Sequence, residues 1–117
     1  MTNIQLLRVR ILNLNCYRQD EADGDEVFLS IDGKKVWPAD SKFVKIKEGD
    51  QKVGLEIDAI QNGSTLALEL WDYDFWTPND KLGEFNMLIN EKGGPFNTDM
   101  TIKDSKSAKY SIEWEVF

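Results

Sequence analysis

Residues 68–85 read LELWDYDFWTPNDKLGEF, and this stretch decides the fold because an alternating apolar run leads directly into aspartates. The apolar residues are spaced two apart, so they share one face of a strand: Leu66, Leu68 and Leu70. Asp72 and Asp74 continue the same spacing. The sequence therefore predicts a strand that packs on a core and ends in an acidic site at the rim of a sheet.

The residues after this strand predict a loop that returns towards the two aspartates. Residues 75–80, FWTPND, contain Thr77-Pro78-Asn79, which is typical of a turn. The loop ends at Asp80, so a third carboxylate is expected beside the first two. Phe75 and Trp76 are expected at the loop tip, where bare aromatic side chains suit a contact surface. The alternative is that both rings fold back and pack on the sandwich.

A second acidic cluster lies at residues 18–28, RQDEADGDEVF, between two strand-like runs. Its five acids fall within seven residues: Asp20, Glu21, Asp23, Asp25 and Glu26. If both loops lie at one end of the molecule, two carboxylates about 5 Å apart repel by about 3 kcal/mol at an effective dielectric near 20. A whole domain is stable by only about 5–15 kcal/mol, so several such pairs require compensation.

A hard divalent cation would compensate that charge, and Ca²⁺ is favoured over Mg²⁺ because it accepts six to eight oxygens in flexible geometry. The alternative is that the acidic loops are simply solvated, as charge runs usually are. An EF-hand is excluded, because the cluster lacks the ordered Asp-x-Asp-x-Asp-Gly with a glutamate at the twelfth position.

The composition of the chain argues against several classes of function. The 117 residues carry 14 Lys+Arg against 21 Asp+Glu, and the net charge of −7 argues against nucleic acid as a partner. Histidine is absent and Cys16 is the only cysteine, which removes the usual zinc sites and histidine acid–base catalysis. Paired carboxylates can perform acid–base work, but no nucleophile elbow or phosphate loop accompanies them, so we expect no enzyme.

The remaining pattern predicts one all-β domain over residues 1–117. Alternation of period two and regular turn signals favour an antiparallel sandwich. Short strands are expected at 43–46 and 53–57, and a loop is expected for GGPFNTD at 93–99. The chain shows no secretory signal peptide and no apolar stretch of membrane-spanning length, so we expect a cytoplasmic protein or one that leaves the cell by a route not encoded in a classical leader.

The stretch WDYDFWTPNDKLGEF resembles the third calcium loop of C2 domains, as found in synaptotagmins and protein kinase C. That family has an aspartate, another two residues on and a third eight after the first, followed by Ile/Leu-Gly-Glu. Asp72, Asp74, Asp80 and Leu82-Gly83-Glu84 match this pattern. The resemblance implies an eight-stranded antiparallel C2-like β-sandwich of Greek-key topology, with Ca²⁺ as its cofactor.

The resemblance also implies a ligand set. In the third loop it comprises Asp72, Asp74, Asp80 and the backbone carbonyl of Tyr73, with the Thr77 hydroxyl as a further candidate. In the first loop Asp25-Glu26-Val27-Phe28 replaces the family's Asp-Pro-Tyr ending, and the implied ligands are Asp25 and Asp20, with Asp23 as an alternative.

The function implied is calcium-dependent docking to anionic phospholipid, in which Phe75 and Trp76 enter the membrane interface. Trp is suited to the headgroup boundary. Lys42, Lys45 and Lys47 could form a basic strand like the phosphoinositide patch of some C2 domains, or simply a solvated face. The alternative function is a Ca²⁺-stabilised sandwich that serves a protein partner or a larger assembly without binding lipid.

Overall fold

The computed structural model describes residues 5–102 and 107–117 and contains ten β-strands in these ranges. The strands are β1 (Leu6–Arg18), β2 (Asp25–Ile31), β3 (Lys34–Trp37), β4 (Val44–Ile46), β5 (Gly49–Gln61), β6 (Ser64–Asp72), β7 (Asp80–Ile89), β8 (Gly93–Asp99), β9 (Thr101–Ile102) and β10 (Lys109–Val116). The described residues include no helix that is long and apolar enough to cross a membrane.

Two antiparallel sheets form the sandwich. The four-stranded sheet has the order β5-β1-β10-β8. The six-stranded sheet has the order β3-β2-β6-β7-β9, and β4 also pairs with β2. The predicted all-β antiparallel sandwich is confirmed.

The core lies between the sheets and is built from the inward face of each alternating strand. Leu66, Leu68 and Leu70 of β6 are buried, as their spacing predicts. They meet buried residues of the opposite sheet such as Ile11 and Ile112. Each fully buried side chain of this size contributes about 1.5–3 kcal/mol, so this face fixes the position of β6 and of the aspartates that follow it.

The structure corrects the predicted number of eight strands. β3 and β4 pair with the same strand, β2, but the 38–43 segment that begins with Pro38 separates them. Proline has no N–H to donate to a strand ladder, so the edge is split into two short pieces. A further two-residue strand, β9, pairs with β7.

Two predictions about individual segments were also wrong. GGPFNTD, expected as a loop, is strand β8 at the edge of the four-stranded sheet, where a proline is tolerated because one side of the strand is unpaired. The short strand expected at 53–57 is part of β5, which runs for 13 residues along β1.

Candidate functional site

The two acidic segments lie side by side at one end of the sandwich. Val27 of β2 is paired with Asp72 of β6, and Asp72 is paired with Asp80 of β7. The Tyr73 N–H also donates to the Glu26 carbonyl at 2.7 Å. The loop of residues 19–24, which precedes β2, and the loop of residues 73–79, which follows β6, therefore meet. We call this the acidic end.

Asp25 is fully buried at the base of the 19–24 loop. Its Oδ1 accepts the N–H groups of Asp20 at 3.0 Å and Glu21 at 2.9 Å. Its Oδ2 accepts the same Asp20 N–H at 2.9 Å and the Tyr110 hydroxyl at 2.6 Å. This carboxylate is directed at the backbone of its own loop and at β10. Burial and the hydrogen bond to Asp25 raise the pKa of Tyr110, so the phenol stays protonated and donates.

Asp72, the last residue of β6, interacts with Glu21 of the 19–24 loop and directly precedes the 73–79 loop. It is 5% exposed, and its Oδ1 accepts the Glu26 N–H at 2.9 Å. Burial raises the pKa of this carboxyl to about 7, opposed by that backbone hydrogen bond and reinforced by the negative charges of Glu21 and Asp25. Glu21 also shares a side-chain hydrogen bond with Asp72. A buried acid with an acidic neighbour in contact is poorly compensated, and this is the condition a cation relieves.

The remainder of the 19–24 loop is fastened to neighbouring strands. Asp20 Oδ1 accepts the Ser107 hydroxyl at 3.1 Å, and Gln19 Oε1 accepts the Glu48 N–H at 3.1 Å. Gly24 has φ +105° and lies so close to β4 that a Cβ atom would stand 3.1 Å from the Ile46 carbonyl oxygen. Asp23 is exposed and forms a 3.9 Å ion pair with Lys45. The loop is therefore tied to β4, to the turn before β5 and to the residues before β10.

The 73–79 loop is held mainly by its own residues. Asp74 is exposed, and its Oδ1 accepts the Trp76 N–H at 2.9 Å and the Thr77 N–H at 3.3 Å. Its Oδ2 accepts the Thr77 hydroxyl at 2.7 Å, and Asn79 Oδ1 accepts the Asp74 N–H at 3.0 Å. The hydrogen bond from Thr77 is the main reason that the pKa of Asp74 is lowered.

The two aromatic residues at the loop tip differ. Phe75 is 64% exposed and packs edge-on against Tyr73, with ring centroids 4.9 Å apart, and against Phe43 at 6.1 Å. Trp76 is 93% exposed and projects from the loop. Phe75 packs against the sandwich, as the alternative interpretation predicts, whereas Trp76 is exposed to solvent at the loop tip, as the first interpretation predicts.

The lysines near β4 lie beside the acidic end, but their contacts do not involve the buried carboxyl of Asp72. Lys42, Lys45 and Lys47 are all exposed. Lys42 Nζ lies 5.7 Å from the centroid of the Tyr73 ring, a cation–π distance. Neither this contact nor the ion pair of Lys45 with Asp23 reaches Asp72, so the buried carboxyl keeps its raised pKa.

The donor chemistry of the acidic end fits Ca²⁺, because every candidate is a carboxylate, hydroxyl or carbonyl oxygen. Yet within residues 5–102 and 107–117, no three His, Cys, Asp or Glu side chains are arranged so that they could hold a metal ion. Asp25 and Asp74 are turned towards their own loops. Coordination would need side-chain rearrangement at these two positions, and the ligand roles remain predictions for Asp20, Asp25, Asp72, Tyr73, Asp74 and Asp80, and for Asp23 and Thr77.

Three residues at the acidic end were not among the predicted site residues. Glu21 contacts Asp72, Ser107 binds Asp20, and Tyr110 binds Asp25. Glu21 could have been selected because it lies within the acidic run. Ser107 and Tyr110 could not, since they are more than 80 residues away along the chain and no local pattern marks them.

Three solved structures are similar to almost all of this chain. A C2 domain of plant extended synaptotagmin 1 matches with a TM-score of 0.60 and 15% identity, covering 99% of this chain and 96% of its own. A structure described as that of a C2 domain matches with a TM-score of 0.55 and 16% identity, covering 97% and 98%. Human GIVD cytosolic phospholipase A2 matches 98% of this chain with a TM-score of 0.58 and 17% identity, but over only 16% of its own length.

No protein-family model matches the sequence, and no curated protein resembles it closely enough to match. At identities of 15–17%, the structural likeness establishes the fold and leaves the function to be argued from the residues. The sandwich of two antiparallel sheets agrees with this likeness. The chain has the fold of a C2 domain.

Proposed function

We propose that this C2 module binds Ca²⁺ at its acidic end and thereby docks onto anionic phospholipid, as a peripheral membrane protein of the cytoplasm and not as an enzyme. One observation carries the proposal: a poorly compensated buried carboxyl and a 93% exposed tryptophan lie at the same end of the sandwich. The first calls for positive charge, and the second suits a membrane interface.

The electrostatic support comes from the balance of charges. The chain carries a net charge of −7, and both acidic segments lie at the end of the sandwich that would approach a membrane. Anionic lipid repels such a surface until bound cations reverse the local field. When bound, Ca²⁺ would supply the positive charge that carboxylates and lipid phosphates can share. The residues that would hold it, after their side chains rearrange, include Asp72, Asp80 across from it and Asp20 of the neighbouring loop.

The support for membrane contact comes from the two loop-tip aromatics. Trp76 is free to enter the headgroup region because its side chain is not engaged in core packing. Phe75 stands beside it and is supported from below by the rings of Tyr73 and Phe43. Because Phe75 is supported by these rings, it can keep its conformation when the loop tip enters the membrane interface. Burial of the apolar rings then contributes to docking.

Vesicle co-sedimentation tests the proposal. The protein is expected to pellet with vesicles of phosphatidylserine and phosphatidylcholine in Ca²⁺, and to stay in the supernatant in EGTA or with phosphatidylcholine alone. Trp76→Ala is expected to reduce the calcium-dependent binding about tenfold, since burying an indole contributes several times the thermal energy. Leu88→Ala is the matched control, because Leu88 is 59% exposed on β7 and lies near the opposite end.

The outcomes separate the two candidate functions. Pelleting that is indifferent to calcium and to Trp76→Ala would contradict the proposal. A rise in thermal stability with Ca²⁺ but no vesicle binding would favour the alternative, in which the cation ties the loops together and the module serves a protein partner. Calorimetric titration with Ca²⁺, repeated on Asp74→Asn, measures the cation step alone.

A further inference from the structure

Asp25 is saturated by hydrogen bonds that come from its own protein. A carboxylate offers about four lone-pair positions. Three donors make four contacts with this carboxylate, because Oδ1 accepts two backbone N–H groups and Oδ2 accepts one of these and the Tyr110 hydroxyl. The side chain is also fully buried. In this arrangement Asp25 closes the 19–24 loop onto β10, and both of its oxygens are engaged by donors of the protein itself.

Glu21 has the opposite orientation. Its backbone N–H is used by Asp25, while its side chain leaves the loop and contacts the carboxyl of Asp72. Glu21 is exposed, whereas Asp72 is 5% exposed. The carboxylate of the 19–24 loop that contacts Asp72, at the end of β6, is therefore that of Glu21.

We propose that Tyr110 is a positioning residue of the acidic end: its hydroxyl pins Asp25 beneath the 19–24 loop, so that the loop presents Glu21 and not Asp25 to Asp72. The calcium part of this inference rests on the proposed function, whereas the pin itself does not. Tyr110 is suited to the task because its ring is 2% exposed within the core, which fixes the hydroxyl in space. The 2.6 Å bond from a neutral phenol to a carboxylate is a charge-assisted hydrogen bond.

Amide hydrogen exchange tests the pin directly, with and without Ca²⁺. Tyr110→Phe keeps the buried ring and removes only the hydroxyl. We expect exchange at the Asp20 and Glu21 amides to quicken about tenfold or more, because the acceptor they share is released. Amides in β2 and β6 are expected to stay protected. Tyr17→Phe is the matched control, since it removes a phenolic hydroxyl that bonds Ser111 Oγ at 2.9 Å on the outer face of the same sheet.

Calcium titration of folded variants tests which acid faces the cation. Glu21→Gln is expected to weaken Ca²⁺ binding about tenfold or more while leaving the Asp20 amide protected, since a first-loop charge is lost and the pin is kept. Tyr110→Phe is expected to weaken it less, because the ligands remain but their loop is less ordered. A merely structural role for Tyr110 would change thermal stability without this selective change at two amides.

Two results would overturn the inference. One is unchanged protection of the Asp20 and Glu21 amides in Tyr110→Phe. The other is normal calcium affinity in Glu21→Gln together with its loss in a folded Asp25→Asn protein, which would make Asp25 the ligand. If the unaltered protein binds no Ca²⁺, the proposed function fails, and the exchange measurement still decides whether Tyr110 and Asp25 form the pin.

Discussion

The 19–24 loop and the 73–79 loop carry similar acidic residues at the same end of the sandwich, yet they are held in different ways. The first is tied to distant parts of the chain through Asp25, Asp20 and Gln19. The second is closed on itself by Asp74, whose carboxylate bonds the next residues of its own loop. The first loop is anchored to distant residues, and the second is held mainly by hydrogen bonds among its own residues.

This difference suits the two loops to different roles at the acidic end. An anchored loop presents its outer side chains in a fixed place, which suits the alignment of a carboxylate against Asp72. A loop held mainly by local hydrogen bonds can change conformation at small cost, because few core contacts are lost when it opens. It is the loop with the exposed tryptophan, and its freedom suits a surface that must adapt to a membrane.

The largest expected effect comes from removing the charge where the loops meet. Asp72→Asn keeps an oxygen for the Glu26 N–H and removes the carboxyl whose pKa is raised to about 7 from 3.8. The folded protein holds the Asp72 proton more tightly than the unfolded chain does. Asp72 therefore does not lower the free energy of unfolding below about pH 4, lowers it increasingly as pH rises, and lowers it most above pH 7. We therefore expect calcium-free Asp72→Asn to be more stable than the parent at pH 8, by at most about 4 kcal/mol.

Urea unfolding between pH 5 and pH 8, followed by tryptophan fluorescence, measures this difference. The gap between the variant and the parent should narrow on acidification. Asp58→Asn is the control, since this exposed acid pairs with Arg8 at 3.4 Å on the other sheet and should lower stability by no more than about 1 kcal/mol. A variant less stable than the parent at pH 8 would mean that ionised Asp72 stabilises the fold. The unfavourable effect of its burial and of its acidic neighbours would then be smaller than we infer.

The 73–79 loop illustrates what the sequence alone could predict. The alternation from Leu66 to Leu70 fixed β6, and its continuation to Asp72 placed the rim correctly. Local turn residues then set the loop, because Asp74, Thr77 and Asn79 are close enough in sequence to bond one another. The conformation of a loop whose hydrogen bonds are local can be predicted from a local sequence pattern.

The 19–24 loop shows the limit of such prediction. Tyr110, the hydrogen-bond partner of Asp25, lies 85 residues away. The pairing of Arg18 with Lys109 places the start of the 19–24 loop beside β10. A register shift in β1 between Ile11 and Asn13 also moves Leu14 and Cys16 to the core face, where strict alternation would place Asn13. Edge strand β8 was missed for a related reason, since its glycines and proline resemble a loop and only pairing with β10 makes it a strand.

A smaller effect should separate the two aromatics of the 73–79 loop. Phe75→Ala removes edge-on contacts with Tyr73 and Phe43 and should lower the free energy of unfolding by about 1 kcal/mol. Trp76→Ala should change it by less than about 0.5 kcal/mol, because the side chain is 93% exposed. Thermal and urea unfolding of both variants provide the measurement. Equal losses would show that Trp76 also packs on the protein in solution, which would weaken its assignment as a free membrane contact.

The smallest effect concerns Asp74, whose acid response should be opposite in sign to that of Asp72. The Thr77 hydroxyl is the main cause of its lowered pKa, so Thr77→Val should return that pKa towards the ordinary value. Since the folded state favours the ionised carboxyl, its contribution is present at neutral pH and is lost as pH falls through the lowered pKa. An NMR titration of the Asp74 carboxyl carbon in both proteins follows this directly. Asp72, titrated in the same spectra, should keep its raised pKa, because that pKa is raised by burial, Glu21 and Asp25 and not by any group of the 73–79 loop. A shift of both carboxyls in Thr77→Val would instead mean that the two loops titrate as one unit, and that the 73–79 loop is coupled to the anchored one.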